Sequence, residues 1–93
     1  MEVKLVKLIT GEDILAGVEE YREHDILVSK PMSLAMHPEK GLVLMKFTPY
    51  AKTDEVAFDR TSVLCILDPQ DVIANQYKEM VGAIITPKQG IIV

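Results

Sequence analysis

One cysteine, Cys65, stands in the sequence, and a single thiol cannot form an internal disulfide. Histidine is almost as scarce. His24 and His37 do not fall in a metal-ligand spacing such as H-x-x-x-H, and no cysteine pair exists to complete a zinc set, so no metal site is expected. The glycines Gly11, Gly17 and Gly41 are isolated, with no G-x-G-x-x-G or G-K-[ST] run to cradle a phosphate. No apolar run approaches the roughly 20 residues that span a bilayer. Met1-Glu2-Val3-Lys4 lacks the charged-then-apolar layout of a secretory signal. These absences lead us to expect a cytoplasmic chain with no membrane partner, no cofactor and no catalytic residue.

What remains is a globular mixture. Of 93 residues, 48% are apolar and 26% charged, enough for one domain with a limited core that association with further copies would help to stabilise. The net charge of −4 argues against a strongly basic nucleic-acid binder, though a local basic patch is compatible with it. The acidic pairs Glu12-Asp13, Glu19-Glu20 and Asp54-Glu55 are adjacent in sequence. On a strand such neighbours point to opposite faces, so they read as solvated turn charges rather than acid/base pairs. Cys65 lies within Val63-Leu64-Cys65-Ile66-Leu67 and is expected to be a buried small hydrophobe.

The apolar pattern is mostly of period two. Residues 2–9 place Val3, Leu5 and Ile9 on one face and Val6 and Leu8 on the other, as in a strand covered on both sides. After the turn Thr10-Gly11-Glu12-Asp13, residues 14–21 resume the alternation, with Gly17 marking a bend or bulge. A polar turn, Arg22-Glu23-His24-Asp25, leads into 26–36. There Ile26, Val28, Met32, Leu34 and Met36 share one face, and Pro31 implies an edge or a bulge. Further strands are expected over 42–50, where Pro49 ends the run, over 55–58, and over 63–67 after Asp59-Arg60-Thr61-Ser62. One helix follows, with Asp68 as N-cap and Pro69 at its first position. Ile73, Tyr77, Met80, Val81 and Ile84 form its apolar stripe, and Gly82 is placed near its end. The sequence thus divides into a barrel over about 2–67, a helix over about 69–83 and an apolar tail over 84–93, which packs either on the barrel or on a neighbouring subunit.

The N-terminal third resembles the first motif of the Sm-like (LSm) family. A strand and turn glycine, Leu8-Ile9-Thr10-Gly11-Glu12-Asp13, precede a second strand with a glycine, Ile14-Leu15-Ala16-Gly17-Val18; Tyr21 to Asp25 then lead into Ile26-Leu27-Val28. Residues 59–67 resemble a degenerate second Sm motif. Leu8-Ile9-Thr10-Gly11-Glu12-Asp13, with Phe47-Thr48-Pro49-Tyr50 later, is similar to Sm-like proteins of tailed bacteriophages, which would place the chain in the host cytoplasm. The resemblance covers roughly residues 3–67. It departs from the family in having its helix after the barrel, in lacking the asparagine after the acidic turn, and in carrying Asp59-Arg60-Thr61 in place of an Arg-Gly pair.

The resemblance implies a mainly β fold, a small strongly bent five-stranded barrel, here with one C-terminal helix. The sixth strand-like stretch is either half of one bent strand, 42–50 with 55–58, or an insertion. It implies a homo-oligomeric ring closed through edge strands, which would satisfy their unpaired backbone groups. It also implies single-stranded RNA near the pore, met by Tyr21, Arg22, His24 and Asp25 in the first turn and by Arg60, Thr61 and Ser62 in the second, with Arg60 foremost. The acidic charge leaves open an assembly adaptor that binds a protein and no nucleic acid.

Overall fold

The computed structural model describes the backbone of residues 2–92 and the side chains of residues 2–82. Six strands precede one helix: β1 (Glu2–Leu8), β2 (Asp13–Tyr21), β3 (Asp25–His37), β4 (Gly41–Lys46), β5 (Glu55–Asp59) and β6 (Val63–Leu67), then α1 (Asp71–Ile92). All pairings are antiparallel, in the order β4-β3-β2-β1-β6, with β5 also on β3. This is a small, strongly bent, mainly β architecture of the Sm-like barrel kind with a C-terminal helix.

The surplus strand is explained by the pairing. A strand has only two edges, and β2 covers one edge of β3 from Ile26 to Leu34. On the other edge β5 takes Asp25 to Ser29 and β4 takes Met32 to His37. The two short strands therefore share one row of the sheet, which is five rows wide, and the loop Phe47–Asp54 interrupts that row. The run expected over 42–50 ends at Lys46, since Phe47 leaves the ladder while its N–H still bonds the Pro31 carbonyl at 3.0 Å.

Between the two halves of β3 lies its bend. Lys30 sits at φ 51, a left-handed conformation unusual for a residue with a Cβ. The register confirms a bulge: Leu15 faces Met32 and Gly17 faces Ser29, so β3 carries one residue more than β2 there. Pro31 belongs to that bulge, as its missing N–H demands. The extra residue also reverses the alternation. Ile26 and Val28 enter one core cluster with Val6, Leu8, Ile14, Ala16 and Phe58, whereas Met32 enters a second with Leu15, Leu44, Tyr77 and Val81. The single apolar face expected for 26–36 is thus divided between both sides of the sheet.

β1 is covered on both sides, as its sequence implies. Val6 and Leu8 line the concave core, while Val3 and Leu5 pack with the helix-side cluster. Gly11 takes φ 96 in the β1–β2 turn.

The helix starts later than the capping pattern suggests. The Gln70 carbonyl accepts from the Ala74 N–H at 2.9 Å, and Asp68 instead receives the Lys4 ammonium. Helical backbone runs through Gly82 to Ile92. Ile73, Tyr77 and Val81 pack on the sheet, while Met80 is exposed. The side chains of Ile84 and of the tail expected over 84–93 lie outside the described residues. Tyr77 is the main anchor. It is 1% exposed, and its hydroxyl donates to the Lys30 carbonyl at 2.8 Å. Burial pushes its phenol up to about 12.

Candidate functional site

The β2–β3 turn and the turn before β6 come together at one end of the sheet. Asp25 and Asp59 face each other as the terminal pair of the β3–β5 ladder, so the residues beyond them must be neighbours. Arg60 joins the two turns twice: its backbone N–H donates to the His24 carbonyl at 3.0 Å, and its Nε donates to the Arg22 carbonyl at 2.7 Å.

Each turn is also braced internally. Across the first, the Arg22 guanidinium reaches Asp25 at two points, Nε to Oδ1 at 2.6 Å and Nη2 to Oδ2 at 3.1 Å. That hydrogen bond holds the Asp25 carboxyl below the usual carboxylate range. The second turn is a short 3-10 segment, Arg60–Ser62. The Asp59 carboxylate caps it, accepting from the Thr61 N–H at 2.9 Å and the Thr61 hydroxyl at 2.7 Å; these bonds, the backbone one first, lower its pKa. The Ser62 hydroxyl donates to the Asp59 carbonyl at 2.6 Å. The Ile9 N–H bonds the Ser62 carbonyl at 2.9 Å, tying this turn to the end of β1.

Arg22, His24, Asp25 and Arg60 are therefore brought together, but they differ in what they leave free. Arg22 is spent on Asp25, and Thr61 and Ser62 turn their hydroxyls back onto Asp59. His24 is 88% exposed in its side chain, beside Glu23. Arg60 is exposed, with its terminal nitrogens not used by the bond to Arg22. Tyr21 is exposed at the end of β2, one residue before the turn. Glu20, Glu23, Asp25 and Asp59 outnumber Arg22 and Arg60, so the paired turns carry net negative charge.

The sequence reading missed the structural role of Asp59. A short acidic side chain two residues before Thr61 is the signal for such a cap. It missed, too, that Arg60 works through the backbone of the other turn; nothing in one sequence announces a contact between residues so far apart. Cys65 is half-buried rather than buried, because it pairs with Lys7 beside an irregularity in the β1–β6 ladder. That irregularity makes Leu64 the extra residue, and it points outward at 65% exposure.

Among the described residues, no group of His, Cys, Asp and Glu side chains could hold a metal ion. No helix among them is long and apolar enough to cross a membrane. A scan against protein-family models finds no match to this chain, and a search of curated proteins finds none.

Proposed function

We propose that this chain is an Sm-like subunit of a homo-oligomeric ring that offers its joined turns to single-stranded RNA. The observation that carries the reading is the double link from Arg60 to Arg22 and His24. It makes one surface from two segments that the sequence resemblance treats as separate nucleotide-contacting motifs. Arg60 meets a phosphate, and His24 and Tyr21 offer flat exposed rings for a base.

The ring reading draws support from the two ends of the sheet. Among the described residues β6 pairs only with β1, and β4 and β5 pair only with β3. Two unpaired edges at opposite ends of one curved sheet suit head-to-tail closure, with each β6 joining the β4–β5 row of the next copy. Repetition around a ring would multiply one arginine into a circle of positive charge. A fluorescence titration with short U-rich and A-rich RNAs tests the RNA reading. Salt-sensitive binding at micromolar protein is expected, and its absence contradicts the proposal.

A second reading, a ring that binds protein only, has its own supporting observation: the turns are net acidic, and Arg22, Thr61 and Ser62 spend their donors internally. Capture of a defined protein from host extract that survives RNase treatment, with no RNA binding, would favour it.

A further inference from the structure

The loop Phe47–Asp54 is held firmly at its base and bare at its tip. Phe47 stays in contact with the core, its ring centroid 5.6 Å from that of Phe58. At the other end the Lys30 N–H bonds the Asp54 carbonyl at 2.7 Å. Within the loop, Pro49 fixes one φ and the Ala51 N–H closes a turn on the Thr48 carbonyl at 3.2 Å. Tyr50 stands on that turn at 99% exposure. A tyrosine so displayed contributes almost nothing to the core, and the pinned loop limits the entropy lost when it binds something.

Three lysines flank the loop that carries it. Lys46 precedes the loop, Lys52 lies two residues past Tyr50, and Lys30, half-buried, sits in the bulge that holds the loop's end. Lys30 and Lys52 have no ion-pair partner among the described residues, and Lys46 reaches Asp54 only at 3.8 Å. Beside the loop is a shallow depression of about 10 Å³, lined by Lys30, Lys46, Thr48 and Asp54 together with the apolar Pro31, Met32 and Val81. An exposed aromatic ring on a loop flanked by lysines, two of them without an ion pair among the described residues, is the combination that single-stranded nucleic acid uses, bases stacking while phosphates meet the cations.

We propose that this loop, with Lys30, is a second contact for single-stranded RNA, distinct from the joined turns. Tyr50 stacks on a base, and Lys30, Lys46 and Lys52 take the flanking phosphates. The inference extends the RNA reading above and rests on it for the identity of the ligand. β5 connects the two contacts: it runs from the end of the loop at Glu55 to the paired turn at Asp59, about 13 Å at the usual strand rise. A few nucleotides can bridge that distance, so the site predicts a dependence on RNA length.

The test is fluorescence anisotropy of the full chain with labelled U-rich RNAs of short and longer length, across a salt series. Tyr50→Ala is expected to weaken binding of the longer RNA by about fivefold to a hundredfold, the range for removal of one stacking partner. Its thermal unfolding should match the wild type. Lys30→Gly combined with Lys52→Ala should flatten the salt dependence by about 1.4 in log–log slope, roughly 0.7 for each phosphate no longer neutralised; glycine accepts the φ of Lys30 without strain. Arg60→Ala separates the two readings. If Arg60→Ala weakens binding and Tyr50→Ala does not, the loop site is overturned while the turns stand. If Tyr50→Ala weakens binding and Arg60→Ala does not, the loop site stands and the turns fall. If the wild type binds no RNA, both fall, and RNase-resistant capture of a protein partner would then assign the surface elsewhere.

Discussion

Tyr77 joins helix to sheet through one hydroxyl, and its environment makes that bond measurable. The ring is buried in the helix-side cluster, and its O–H donates to the carbonyl of Lys30, the one non-glycine residue at positive φ among those described. Tyr77→Phe should keep the packing, lose this bond and cost about 1–2 kcal/mol in denaturant unfolding. Tyr77→Ala should cost about 3–5 kcal/mol through the cavity it leaves. The pH dependence has a definite sign. A phenol whose folded pKa stands near 12, above its ordinary value of 10.0, is ionised first in the unfolded chain as pH rises. The native state gains from it below that window and loses the gain across it. Lys4 and Lys7, raised by hydrogen bonds to Asp68 and Asp13, also favour the fold until pH climbs through their folded values. Wild-type stability should therefore fall above pH 10, and Tyr77→Phe should fall less steeply. At the acid end Asp25 and Asp59 have lowered pKa values, so their contribution is present above the ordinary carboxylate range and is lost as pH drops through their folded values. Asp59→Asn, which can still accept from Thr61, should flatten that acid limb in urea unfolding measured from pH 5 downward.

At the scale of elements, β3 shows what a single sequence discloses and what it withholds. Pro31 announced an edge or a bulge, and the structure has the bulge. Its consequence was not visible, because the place of the extra residue is set by pairing with β2, and one residue of slip sends Met32 to the opposite face from Val28. The period-two pattern of β1, by contrast, was readable up to Leu8, with Val6 and Leu8 in one core cluster and Val3 and Leu5 against the helix-side one, but not at Ile9, which lies past the strand and is exposed. The helix stripe was legible at Ile73, Tyr77 and Val81 but its start was not, because Asp68 is drawn away by Lys4. The paired turns were legible as turns. Their union through Arg60 depends on β5 lying against β3, which no local pattern encodes. Relieving the left-handed strain at the bend gives a test: Lys30→Gly should raise stability by about 0.5–1 kcal/mol, measured by chemical unfolding, because a Cβ in this conformation is penalised by roughly 1 kcal/mol. A loss of stability would mean that the lysine side chain, rather than its backbone, holds the bend.

For the molecule as a whole, the sheet ends, among the described residues, in two edges with no pairing strand, and the exposed Leu64 and Leu67 lie along the β6 edge. Hydrophobic side chains beside unpaired backbone groups fit an edge that is covered in the assembled state. If copies join edge to edge as proposed, Leu64→Glu, at a position already mostly exposed, should leave the monomer fold intact by circular dichroism while weakening their association, because a carboxylate would be buried at the joint. The most direct measurement is the native mass of the purified wild-type chain, by mass spectrometry under non-denaturing conditions or by light scattering through a dilution series. A single closed multiple of the 10.4 kDa chain is expected, persisting on dilution. A 10.4 kDa species at every concentration would contradict edge-to-edge assembly.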